Sequence, residues 1–240
     1  MSLNFSKTKY MIVTYNFVPN NLQIKVNDHI IEKCKCLNFL GVNIDQKLLF
    51  HEHLDYVVSK VSSTQGIIFK LNYLPTEILL MIYYSLVFPY LFYCIEIWGA
   101  CPASTRLPLY RLQKKIVRNI YKLEYNAHAN PAFYNLNILK LDDIFRFFIN
   151  KKFFEILRFN KSSWILQMVQ DIQVNHMYST RNLLLRMPSI HICRFKQSFI
   201  YQSIYNWNLI PENLKNFNSI LTFKTHFKKH IIAGYNESSL

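Results

Sequence analysis

The sequence predicts an α+β fold that is predominantly α, with a small β portion confined to about the first fifty residues. Three observations carry this. Apolar and polar residues alternate singly in short runs up to Asp45, whereas from His51 onward the apolar positions recur every three to four residues, the spacing of one helix face. The 240-residue chain is 51% hydrophobic and only 18% charged, so it has the apolar content for a core and lacks the composition of a disordered segment. Its four glycines stand at 41, 66, 99 and 234, and none falls in a GxxxxGK[ST] or GxGxxG run. A P-loop or Rossmann nucleotide site is thereby excluded.

Taken in order, Tyr10 to Val13 reads as a first strand and Val18-Pro19-Asn20-Asn21 as a turn. Leu22-Gln23-Ile24-Lys25-Val26 alternates strictly, Asn27-Asp28 turns, and Ile30-Ile31 resumes, which is a hairpin pattern. Asn38 to Asp45 alternates again and reads as one strand, with Gly41 inside it where another backbone can approach closely. His51 and His53, two apart at the junction with the first helix, have no third ligand and read as polar capping residues rather than a metal site. Leu54, Val57, Val58 and Val61 then form one face of a helix reaching about Lys70, and Thr76 after Pro75 is a candidate N-cap for the next.

Ile78 to Ile95 carries no formal charge over eighteen positions, the length at which a membrane span must be weighed. Pro89 in mid-run and the hydroxyls of Tyr83, Tyr84, Tyr90 and Tyr93 favour a buried core segment split into two shorter helices. Trp98-Gly99 and Pro102 break the chain again. Arg111, Lys114, Lys115, Arg118 and Lys122 follow at i, i+3, i+4, i+7 and i+11, opposite Leu112, Ile116 and Ile120. Such a basic stripe is either a solvated helix face or a phosphate-binding one. Six basic residues and no acid lie between Glu96 and Glu124, and unrelieved like charges four apart repel, which favours a phosphate partner.

In the second half, Ala127 to Asn130 with Pro131 reads as a loop, Leu141 to Phe159 as a long aromatic helix, and Asn160 to Ser163 as its break. A composition shift near residue 125 marks a boundary between two helical modules. Asp142-Asp143 has the look of a metal-binding carboxylate pair, but it stands at a helix start, where acids are stabilised by free N–H groups and the macrodipole. Phe145, Phe147, Phe148, Phe153 and Phe154 could stack on bases, yet at helical spacing they read as core. No Ser/His/Asp arrangement supports nucleophilic catalysis.

Lys and Arg total 28 against 14 acids, a net charge of +14, which favours a polyanionic partner: nucleic acid or an anionic surface. Five cysteines, at 34, 36, 94, 101 and 193, are an odd number, and no secretion signal opens the chain. A reduced intracellular setting, cytoplasmic or nuclear, is expected. Cys34 and Cys36 are one residue apart with no second pair, so structural zinc is not expected.

Several segments form a recognisable series: Leu3-Asn4-Phe5-Ser6-Lys7-Thr8-Lys9-Tyr10-Met11; Asn38-Phe39-Leu40-Gly41-Val42-Asn43-Ile44-Asp45 with Leu48, Phe50 and His53; Tyr84-Ser85-Leu86-Val87-Phe88-Pro89-Tyr90-Leu91 with Tyr93-Cys94 and Trp98-Gly99; and Leu112-Gln113-Lys114-Lys115. In order and spacing the series resembles the end of a reverse transcriptase of the jockey-like non-LTR (LINE-type) retrotransposons. Tyr205-Asn206-Trp207-Asn208-Leu209-Ile210-Pro211 and Phe223-Lys224 to Lys228 look like that family's C-terminal segment. The resemblance implies that residues 1–50 are a palm remnant, with a primer-grip-like strand at Leu40, Gly41 and Val42. Residues 51–125 would be thumb-like helices and 126–240 a helical C-terminal extension.

The family's YADD hairpin is missing, and its other catalytic aspartate would lie further upstream still. Met1 stands where the family has a leading glycine-leucine stretch, so a truncated frame, a degenerate copy or an incomplete gene model is expected. No catalytic or metal-binding residue is assigned to this chain; magnesium is expected only in the missing palm site, and the chain alone is expected not to polymerise, although its family is a nucleotidyltransferase. The expected role is to hold an RNA–DNA or DNA duplex by its backbone, with Arg111, Lys114, Lys115, Arg118 and Lys122 on phosphates, and a separate polymerase palm is a further candidate partner. A membrane partner is not expected. The alternative is a helical membrane-associated or protein-interaction module whose 78–95 run inserts or docks.

Overall fold

The computed structural model describes residues 8–14, 22–26, 29–159, 161–174, 184–189 and 193–237. Within them the architecture is α+β and predominantly α, as the periodicities predict. The β portion consists of three two-stranded sheets. β1 (Lys9–Tyr10) pairs in parallel with β4 (Glu32–Lys33), and β2 (Lys25–Val26) pairs antiparallel with β3 (His29–Ile30). Leu3 to Lys7, the predicted turn at Val18 to Asn21, the Asn27-Asp28 turn and Asn160 lie outside the described residues.

The third sheet corrects the sequence-based expectation. Asn38 to Asp45 is not one strand but a hairpin, β5 (Cys36–Phe39) with β6 (Val42–Asp45), in which Phe39 faces Val42 and Cys36 faces Asp45. Leu40 (φ 48°) and Gly41 (φ 82°) form the two-residue connection, and a glycine suits a turn that needs positive φ at both positions. Alternation continues unbroken through a two-residue turn, so the pattern hides it. Asp45 then fixes the exit: Oδ1 accepts from the backbone N–H groups of Lys47 (2.9 Å) and Leu49 (3.1 Å), and Oδ2 from that of Phe50 (2.5 Å). This carboxylate holds a loop in which Leu48 and Phe50 take positive φ, and it launches the first helix.

α1 (His51–Lys70) buries Leu54, Val57, Val61 and Ile68, chiefly against α5 (Ala103–Ile120). His53 corrects a second expectation, since it is no cap: it is 2% exposed, 5.8 Å from the Trp98 ring, with both ring nitrogens buried and without a hydrogen-bond partner among the described residues. Thr76 is likewise not a cap. Pro75 occupies that position, without a side-chain bond, and Thr76 is the first residue of α2 (Thr76–Ile82).

The uncharged run continues from α2 through a π-helical turn, Tyr83–Val87, into α3 (Phe88–Phe92). A proline in a regular helix lacks an N–H and collides with the preceding turn; widening that turn makes room for Pro89. Leu79, Tyr83, Val87, Leu91 and Ile95 are all fully buried. Among the described residues no helix is long and apolar enough to cross a membrane. α4 (Ile95–Trp98) follows, with the Trp98 indole N–H donating to the Tyr93 carbonyl at 2.8 Å.

Beyond α5 come α6 (Asn130–Asn135), α7 (Leu141–Phe159), α8 (Ser163–Val174), a 3-10 turn at Cys193–Gln197, α9 (Phe199–Asn208), α10 (Glu212–Lys215) and α11 (Ile220–Glu237). α7 coincides with the predicted aromatic helix and touches α3, α4, α5, α8, α9 and α11. Its Phe145, Phe147, Phe153 and Phe154 are buried as core, and Phe154 stacks on Phe223 of α11 at 4.5 Å. One buried cluster runs across residue 125, joining Val61 and Ile116 to Phe133, Phe153 and Phe223.

Candidate nucleic-acid interface

The basic face of α5 follows from its apolar one. Leu109, Leu112, Ile116, Val117 and Ile120 are buried, so the cations between them are turned outward. They are not equivalent. Arg111 and Lys115 are exposed one turn apart. Lys114 is half-buried with its ammonium 4.8 Å from the centre of the Tyr110 ring. Arg118, in the last turn, donates through Nε to the carbonyl of Ala127 at 2.7 Å, tying the following loop to the helix end. Lys122 lies past that end, exposed, where the chain turns through φ 56°. The sixth cation, Arg106, pairs with Asp142. Among the described residues none of the other five meets a carboxylate.

Beside Lys115 and Arg118 lies a groove of about 300 Å³ that sequence reading misses. It is lined by Gln65, Phe69 and Asn72 at the end of α1, and by Lys115, Arg118, Asn119, Leu123 and Tyr125 at the end of α5. Phe69 and Tyr125 are 67% and 73% exposed. The Asn119 Nδ2 donor is buried without a partner among the described residues. The signal for it is faint but present: Phe69 falls off the Leu54-Val57-Val61-Ile68 face of its helix, so burial cannot be its reason.

The primer-grip-like residues separate. Leu40 is 74% exposed at the hairpin tip, whereas Val42 is 2% exposed and packs in the core. The group that approaches Gly41 is the Tyr93 ring, 3.4 Å from where a Cβ would stand, and the Tyr93 hydroxyl donates to the Leu40 carbonyl at 2.6 Å. Leu40 and Gly41 edge a cavity of about 460 Å³ with His53, Tyr56, Val57, Pro89, Tyr90 and Tyr93. His53 and Phe69 place the cavity and the basic groove toward opposite ends of α1, about 24 Å apart at a rise of about 1.5 Å per residue.

Asp142 and Asp143 occupy the first turn of α7, as their helix-start reading predicts, and each has a further partner. Asp142 binds Arg106; Asp143 binds Arg146 at 3.2 Å and accepts from the Tyr235 hydroxyl at 2.5 Å. Burial, with the neighbouring Asp143 charge, pushes the Tyr235 phenol well up from its ordinary value. Among the described residues no group of three or more His, Cys, Asp or Glu could hold a metal ion.

The described residues thus form a predominantly helical fold with an outward row of cations on α5, and the chain has a distant likeness to a polymerase of a mobile element. Over 124 residues, half of this chain, the sequence is 26% identical to the RNA-directed DNA polymerase from mobile element jockey of Drosophila melanogaster. The chain covers 14% of that protein's length. No family model and no solved structure matches the chain. The relationship to a reverse transcriptase is therefore distant and extends over half of the sequence.

Proposed function

We propose that this chain is the primer-template-holding part of an RNA-directed DNA polymerase of the non-LTR retrotransposon kind, gripping an RNA–DNA or DNA duplex by its backbone. The observation that carries the reading is the outward row Arg111, Lys115 and Lys122, exposed and, among the described residues, paired with no carboxylate. It stands on a chain of net charge +14 that is distantly related to such a polymerase. Lys114 and Arg118 support the row from inside. The exposed Leu40-Gly41 tip is the primer-grip-like contact, held in place by Tyr93, with Val42 anchoring it in the core. Catalytic carboxylates and their magnesium belong, in this reading, to a palm outside the chain.

Phosphate contacts release condensed counterions, each contributing about 0.7 to 0.9 to the slope of log affinity against log salt. Replacing Arg111, Lys115 and Lys122 together by Gln is expected to flatten that slope by about two to three units and to weaken binding to all sequences alike. Exposed substitutions shift stability by no more than about 0.5 kcal/mol, so the fold persists. A folded triple variant with an unchanged salt slope would show that the row is only a solvated face.

A further inference from the structure

We infer that the groove between the ends of α1 and α5 takes one unpaired nucleotide of an RNA or DNA strand, its base on Phe69 and Tyr125 and its phosphate on Lys115 and Arg118. This rests on the duplex-holding reading and adds a second element to it. Phe69 and Tyr125 are both largely exposed, they face one groove, and among the described residues neither ring stacks on another ring or lies under a cation. Large aromatic faces left bare beside two cations are the pattern of a stacking platform for bases. The interior of a duplex cannot use them, because each base face there is already covered by its neighbours; an unstacked base offers both faces.

The polar lining fits the same ligand. No acid is among the residues that line the groove, while two cations are. Arg118 spends its Nε on Ala127, leaving its terminal amino groups with no hydrogen-bond partner among the described residues. Gln65, Asn72 and Asn119 supply amides for base edges, and the buried Asn119 Nδ2 lacks an acceptor that every nucleobase can provide. The volume, about 300 Å³, is at the small end of ligand pockets, which run from about 300 to 1,000 Å³.

The test compares three fluorescent probes at fixed salt: a blunt duplex, the same duplex with a four-nucleotide single-stranded extension, and a short oligo-dT. The extension is expected to tighten binding about five- to a hundred-fold over the blunt duplex, the range of one or two stacking contacts. The Phe69→Ala/Tyr125→Ala variant is expected to lose that gain while binding blunt duplex as before. Blunt duplex that binds with no gain from the extension overturns the groove and leaves the duplex reading intact. Oligo-dT that binds and is lost in the variant, while blunt duplex fails to bind, upholds the groove and overturns the duplex reading. Failure of all three probes overturns both, and displacement of the extended probe by hexaglutamate as readily as by oligo-dT would make the groove a general anion site and overturn its assignment to a nucleotide.

Discussion

Two imidazoles two residues apart, His51 and His53, have opposite fates: the first is exposed at the start of α1 and the second is sealed against Trp98. Burial lowers the pKa of His53 below its ordinary 6.5, so the folded chain holds it neutral. The unfolded chain takes up a proton near 6.5, the folded chain only at lower pH. Stability from this residue is therefore fully present above that pH and lost as the pH falls below it, by at most about 1.4 kcal/mol per pH unit. The melting temperature is expected to drop between pH 7 and pH 5, and a His53→Leu variant to drop less; parallel curves would mean that His53 takes a proton in the folded state. Position in sequence could not reveal this, because a histidine at a helix start serves equally well as a cap. Asp45 was legible only as the end of an alternating run, since its three amide partners lie in a loop that periodicity does not describe.

At the scale of elements, the helices with a strong apolar repeat were the legible ones. α1, α5 and α7 stand where the three-to-four spacing puts them, because their buried faces are what the spacing records. The hairpin tip and the basic groove were barely legible because both depend on groups brought together across long stretches of sequence: the Tyr93 hydroxyl with the Leu40 carbonyl, and Phe69 with Lys115 and Tyr125 around one groove. Trp98-Gly99 reads as a mere break, yet Gly99 is a packing requirement. A Cβ there would lie 2.4 Å from the Phe145 ring and 2.5 Å from the Ile95 carbonyl oxygen, so α4 can sit on α7 only without it. Gly99→Ala is expected to cost about 1 to 3 kcal/mol, read from chemical denaturation. Trimming the obstacle with Phe145→Leu in the same chain is expected to return part of that loss; a neutral Gly99→Ala would show that α4 has room to shift.

The whole molecule is organised around α7, which six other helices touch. The composition shift near residue 125 points to two modules, while the buried cluster passes through that point from Ile116 and Ile120 to Phe133 and Phe153. Unfolding distinguishes the two descriptions. With a shared core, circular dichroism and tryptophan fluorescence are expected to report one coincident thermal transition, since Trp98 lies before the boundary and Trp207 after it. Two separated transitions would favour independent modules.

The widened turn at Tyr83–Val87 sets a constraint on the length of the chain itself. Leu79, Tyr83, Val87, Leu91 and Ile95 recur at strict intervals of four, and on a regular helix such a row slides round the axis by about 40° at each step. The surplus residue in the π turn absorbs that slippage and keeps the row against the core. Losing one exposed position there, Ser85 or Leu86, removes no buried contact, yet it rotates everything that follows by about 100°. Leu91 leaves the interior and the Tyr93 hydroxyl swings away from Leu40. In this stretch a residue's presence counts for more than its identity, and a one-codon deletion is expected to be more damaging than an alanine substitution at the same exposed site.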